Sequence, residues 1–246
     1  GDVTNCITVK TIVRIARLNG VVSAPMVGVL MVLVLAGCTS RPKVTDEGVA
    51  DLDTIQVGII DAEFSRPLSS AVDRRDITVF FNPRDNNVYL EFRHQGMTFR
   101  QYWNSANRAG FREALEKYKV DYEARNLVDK PNRTQRIYGS LRGMIRWGFA
   151  PQIGGFGLAL GSQGYPAYDL GYAFKRDSSR GETPYFTVFQ SQCADVLASS
   201  EPGQSLYLYI HYTRAQADEL VRLFDQNYLL SLIEARRVSE PDADSY

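Results

Sequence analysis

Residues 87–94 place Val88, Leu90 and Phe92 on one side of an extended chain and Tyr89, Glu91 and Arg93 on the other. Successive side chains of a strand point to opposite faces, so a repeat of two marks a strand with one buried face. The repeat returns along the chain. Residues 76–82 carry Ile77, Val79 and Phe81, and 205–211 set Leu206, Leu208 and Ile210 against Tyr207, Tyr209 and His211. Residues 136–147 alternate Ile137, Leu141, Ile145 and Trp147 with Arg136, Tyr138, Ser140, Arg142 and Arg146. Gly139 and Gly143 fall on the apolar side of that run, where a missing side chain lets a strand bend or admits a partner. Weaker strands are expected at 54–60, 97–102, 168–175 and 184–190. Asn82, Pro83, Asp85 and Asn86 supply turn chemistry between two of these runs.

Two segments change period. In 104–125, Phe111, Ala114, Leu115, Tyr118 and Tyr122 recur at helical spacing, as do Ala217, Leu220, Phe224 and Ile233 in 214–236. Thr213 with Gln216 forms a capping-box pattern before the second. Strands joined by short turns pair antiparallel. The expectation is an α+β fold: an antiparallel β-sheet, either one curved sheet or two packed sheets, with two amphipathic helices against one side.

A third pattern precedes the fold. Lys10, Arg14 and Arg17 lead into an apolar run that ends at Leu35-Ala36-Gly37-Cys38. The run is short for a membrane span, which needs about 20 apolar residues, and is interrupted by Pro25. Basic flank, apolar stretch and small residues form the layout of a secretory signal. With Leu35-Ala36-Gly37-Cys38 at its end, the segment resembles bacterial lipoprotein precursors; the likeness covers about the first forty residues. The resemblance implies cleavage before Cys38, lipidation of its thiol, and attachment to the bacterial cell envelope through that lipid. Thr39 stands where, in some diderm bacteria, an acid retains the protein in the inner membrane, so the resemblance implies the outer membrane. The chain thus divides into a signal peptide (1–37), a lipidated cysteine with a flexible tether (38–53), one globular domain (54–236) and an acidic tail (237–246).

Charge narrows the partners. Three of 28 basic and one of 28 acidic residues precede Cys38, so the remainder holds two more acids than bases. That balance excludes the basic footprint of a nucleic-acid binder. Beyond Cys38 only Cys193 remains, so the core, not a disulfide, must hold the domain.

His94 and His211 are the two histidines, and neither lies in a metal-ligand or nucleophile motif; no metal and no cofactor are expected. Two groups are candidates for partner binding. Tyr165, Tyr168 and Tyr172 sit among Gly161, Gly164, Pro166 and Gly171, a framing that suits an exposed aromatic loop. Arg136, Arg142 and Arg146 share the polar side of the 136–147 run, where guanidinium groups suit a carboxylate, phosphate or sugar acid. The expected role is a non-catalytic envelope module that binds a partner protein or glycan or supports envelope assembly. The competing expectation is a hydrolase of envelope polymers using carboxylates such as Glu91, Asp169 or Asp195. Cys38→Ala should leave an uncleaved precursor without lipid, read by intact mass; a variant still processed to the same mass and still acylated contradicts the lipoprotein reading.

Overall fold

The computed structural model describes residues 46–67, 72–148, 161–177, 181–198 and 203–239. The signal segment, Cys38 and the tail beyond residue 239 lie outside them. The alternating runs form ten strands: β1 (Ile55–Ser65), β2 (Asp73–Asn82), β3 (Asn87–His94), β4 (Met97–Trp103), β5 (Ile137–Arg142), β6 (Met144–Gly148), β7 (Ser162–Gly164), β8 (Ala167–Asp177), β9 (Gly181–Gln190) and β10 (Leu208–Tyr212). Among the described residues four helices accompany them: α1 (Ser105–Glu123), α2 (Arg133–Arg136), α3 (Arg214–Phe224) and α4 (Gln226–Ser239).

The strands make one antiparallel sheet in the order β5-β8-β9-β10-β1-β2-β3-β4-β6-β7. It is a single curled sheet and not two packed ones. The curl follows from connectivity. β5 lies at one end of the order and β6 near the other, yet Gly143 alone separates them. Tyr165 and Pro166 join β7 to β8 across the same gap. The register of Ile145↔Gly164 continues without slip into Arg142↔Ala167, three residues on in each strand. The run read as one strand over 136–147 is therefore one bent strand whose halves pair at opposite ends of the sheet. A Cβ on Gly143 would lie 2.6 Å from the Tyr168 ring and 3.3 Å from the Tyr102 carbonyl oxygen, so the crossing needs glycine there.

Curling gathers the apolar sides of the strands on the concave face. Gln101 of β4 donates to Gln190 of β9 at 2.8 Å, both fully buried, although five places separate their strands in the order. Trp103 of β4 stacks on Tyr168 of β8, centroids 5.4 Å apart. Helix α1 lays Phe111, Ala114, Leu115 and Tyr118 into this face, and Phe111 meets Trp103, Phe186 and Phe224 edge-on. Asn104 begins α1 by accepting from Asn107 N. Arg108, on the same helical face, donates to the carbonyls of Asn86 and Trp103 and to Gln226 Oε1. Burial lowers its pKa to about 10, which leaves it charged at neutral pH. It ties α1 to the β2–β3 turn, β4 and α4.

Two expectations change in detail. The helix over 214–236 is two helices, because Asp225 turns extended and accepts from Asn227 N and Tyr228 N, capping α4 as α3 ends. The tether assigned to 38–53 does not extend to 53. Val49 N and Ala50 N donate to the Pro83 carbonyl at 2.8 and 3.3 Å, and Asp46 accepts from Ser105 N at the start of α1. Val49, Ala50 and Leu52 pack against the core. These apolar residues lack periodicity because they follow a turn, not a strand.

Gly143→Ala should destabilise by about 1–3 kcal/mol, the range for overpacking a filled core. Gly161→Ala has nothing within 4 Å of the new methyl and should stay within about 0.5 kcal/mol. Urea unfolding of the two variants checks the contrast; equal midpoints would contradict the crossing.

Candidate functional site

The tyrosine group does not form a binding loop. Tyr168 and Tyr172 are core residues, 0% and 1% exposed. Both point to the concave face of β8, Tyr168 against Trp103 and Tyr172 with its hydroxyl accepting from Val128 N at 3.0 Å. Tyr165 is half-buried and its hydroxyl accepts from Gln163. The glycines around them serve close packing: a Cβ on Gly164 would lie 2.5 Å from Cys193 Sγ, and one on Gly171 would lie 2.0 Å from the Arg136 carbonyl oxygen.

The three arginines do not converge either. The guanidinium of Arg136, in α2, lies 4.5 Å over the Phe189 ring. Arg142 ends β5, exposed. Arg146 lies beyond the Gly143 crossing, in β6, opposite Arg100 of β4, and so stands at the other end of the sheet order. The carboxylates are separately engaged. Glu91 holds Arg100, Asp169 holds Arg133 and Ser140, and Asp195 accepts from Gln163 N and Leu197 N.

What the fold does assemble on the convex face, across β9 and β10, is an aromatic group. Phe189 and Tyr209 are register partners with ring centroids 4.9 Å apart. Arg136 caps Phe189, and Tyr207 is 51% exposed. The outward expectation for Tyr207 and Tyr209 is met; Tyr89 is buried instead, bonded to Asn82, and Tyr138 turns to Asp121 of α1 at a bulge in β5.

His211, expected to face outward like the two tyrosines, is 2% exposed. Its Nε2 lies 2.8 Å from Ser65 Oγ of β1 and its Nδ1 2.9 Å from Thr187 Oγ1 of β9. Thr187 Oγ1 also lies 3.2 Å from the Tyr185 carbonyl, which can only accept. The single hydroxyl proton of Thr187 goes there, so Thr187 accepts from Nδ1–H. Nε2 is then the acceptor and Ser65 the donor. Burial, aided by Lys175, holds the His211 pKa well below the usual imidazole range. Lys175 itself is pushed down to about 8 by burial, with Glu63 at 3.9 Å opposing. A groove of about 330 Å³ opens at this end of the sheet, lined by Phe64, Ser65, Arg66, Val72, Asp73, His94 and Gln95. His94 stacks on Phe64 and is 5% exposed, and neither ring nitrogen has a hydrogen-bond partner among the described residues. Burial lowers its pKa, against the pull of Asp73. No sequence motif marks this group, because its members come from strands far apart in the chain that lie side by side only in the sheet order β8-β9-β10-β1-β2-β3.

The pattern of a family described as "Uncharacterised Treponema protein" matches residues 54–231. The chain belongs to that family. The match begins at the start of β1 and ends inside α4, so it takes in the whole sheet, Ser65, His94, Thr187 and His211. An uncharacterised protein of Treponema pallidum (strain Nichols) is 25% identical over 203 residues, which is 82% of this chain and 67% of that protein. No solved structure matches. Among the described residues of this family member, no helix is long and apolar enough to cross a membrane.

The two neutral histidines fix a pH dependence. Their folded pKa values lie below the unfolded value near 6.5, so the unfolded chain binds more protons once pH drops below that value. Stability present above about pH 6.5 is therefore lost as pH falls. Urea midpoints should decline from pH 7 to 5.5, and less in His94→Phe; a flat profile would contradict the buried neutral rings.

Proposed function

We propose that this chain is a lipid-anchored protein of the bacterial envelope, held through Cys38, whose convex face binds another envelope protein. The observation that carries the reading is the exposed Tyr207 beside the Tyr209–Phe189 pair under Arg136. Tyrosine and arginine dominate interface energetics because they bring large, amphipathic area at low entropic cost. Phe189 is buried and Tyr209 half-buried, so Tyr207 is the ring this face presents to solvent, and an exposed ring continuous with packed aromatics suits a partner contact. A glycan is the alternative occupant of the same face, and support for envelope assembly is the process such a contact would serve.

The docking of residues 46–53 bears on the anchor. Eight residue steps separate Cys38 from Asp46, at most about 28 Å of chain at roughly 3.5 Å per residue. On this reading the β2–β3 turn, where Asp46 and Val49 are bonded, is the end tied near the bilayer. Outer-membrane placement follows from Thr39 under the resemblance to lipoprotein precursors.

The test is recovery of partners from envelope extract by the acylated protein and by Tyr207→Ala. The variant should unfold within about 0.5 kcal/mol of wild type and lose its partner by about thirtyfold, the effect of about 2 kcal/mol at an aromatic anchor. Mass spectrometry then identifies a protein or a glycan. Unchanged recovery by a normally stable variant contradicts the reading.

A further inference from the structure

Ser65 and His211 are not used by the convex-face contact, yet their geometry is that of a nucleophile and its base. We propose that Ser65 is an acylatable nucleophile, activated by His211 and reached through the groove at the β1 end. Three observations carry this. The Ser65 Oγ to His211 Nε2 distance is 2.8 Å, hydrogen-bond reach for proton transfer. The Thr187 contact puts the ring proton on Nδ1, so Nε2 presents the lone pair that a base requires. Ser65, 5% exposed, borders the groove together with the Arg66 cation and with His94, whose Nδ1 lies 3.7 Å from Asp73 Oδ2.

The surroundings define the substrate class. In a Ser-His-Asp arrangement the carboxylate stabilises the imidazolium formed during attack. Here a neutral hydroxyl takes that place, and Lys175 opposes positive charge on the ring. Imidazolium is therefore costly, His211 is a weak base, and unactivated acyl groups such as amides, whose attack needs a strongly activated serine, are disfavoured. Esters with a good leaving group, aryl esters or thioesters, fit. Ser65 Oγ attacks the carbonyl carbon and its proton passes to His211 Nε2. The C–O or C–S bond then breaks and the leaving group departs with that proton. Water attacks the acyl-Ser65 ester in turn, giving up a proton through His211 and releasing the acid. No electrons are transferred and no co-reactant beyond water is required.

The experiment uses the full chain and a small alkyl fluorophosphonate. Attack by Ser65 forms an Oγ–P bond, breaks P–F and releases fluoride. Peptide mapping should locate one adduct, on Ser65, and Ser65→Ala should lose it. Thr187→Val should slow labelling by about a hundredfold, the lower end of what a positioned base contributes, in protein that still folds with a lowered melting temperature, and labelling should recover in Thr187→Ser. Hydrolysis of p-nitrophenyl acetate should follow the same order. Absence of an adduct on Ser65 in folded wild-type protein overturns the proposal without reliance on any variant. Labelling of Ser65 at the same rate in a folded Thr187→Val also overturns it, because the serine would then react without its base. Partner recovery through Tyr207 is a separate readout, so either idea can fail alone.

Discussion

The crossing at Gly143 is the constraint on which the rest of the structure depends. One bent strand pairs with β8 through its first half and with β4 through its second. A sheet that shares one strand between its two ends must curl until those ends meet. The curl in turn creates a concave face too narrow for a second sheet. That face is filled by large aromatic side chains and by helices α1 and α3, so Trp103, Phe111, Tyr168 and Phe224 meet in one group. The position has no room for a β-carbon, which is the physical reason a glycine interrupts an otherwise regular run.

The same curl divides the polar chemistry. Residues on the convex side are solvated where the sheet is broad, as at Tyr207. They are enclosed where neighbouring long side chains lean over them. His211 lies with Tyr185 and Tyr209 edge-on to its ring, centroids 6.4 Å away in each case. Enclosure keeps the imidazole neutral, and the Thr187 hydroxyl fixes its tautomer. A buried ring with both nitrogens satisfied is stable by itself. Its consequence for chemistry comes from Ser65, whose strand end borders the groove.

Much of the architecture was legible in the sequence because it is written in local periods. The alternation of Val88, Leu90 and Phe92, the helical spacing of Phe111, Leu115 and Tyr118, and the Thr213–Gln216 box each specify an element from neighbours within a few residues. Even the bend at Gly143 had a local mark. What was not legible depends on contacts between distant strands. Tyr168 and Tyr172 carry two readings, a strand over 168–175 and an exposed loop framed by glycine and proline; the strand is what forms, and the framing residues serve backbone crossings. Asp225 was hidden inside an unbroken helical period, since a carboxylate can either face solvent or cap a new helix. The Ser65–Thr187–His211 group carries no spacing at all: its residues are separated by over a hundred positions in one case, 146 between Ser65 and His211.

The most direct measurement of the central claim is a set of cross-strand nuclear Overhauser contacts on the folded domain. The shared strand requires that Arg142 contact Ala167 and that Arg146 contact both Gln163 and Arg100, all in one sample. The account predicts every one of these contacts at full intensity, together with slow hydrogen exchange on both sides of Gly143. Contacts from residues 137–142 to β8 without contacts from 144–148 to β4 would mean that the sheet is open, and would contradict the account.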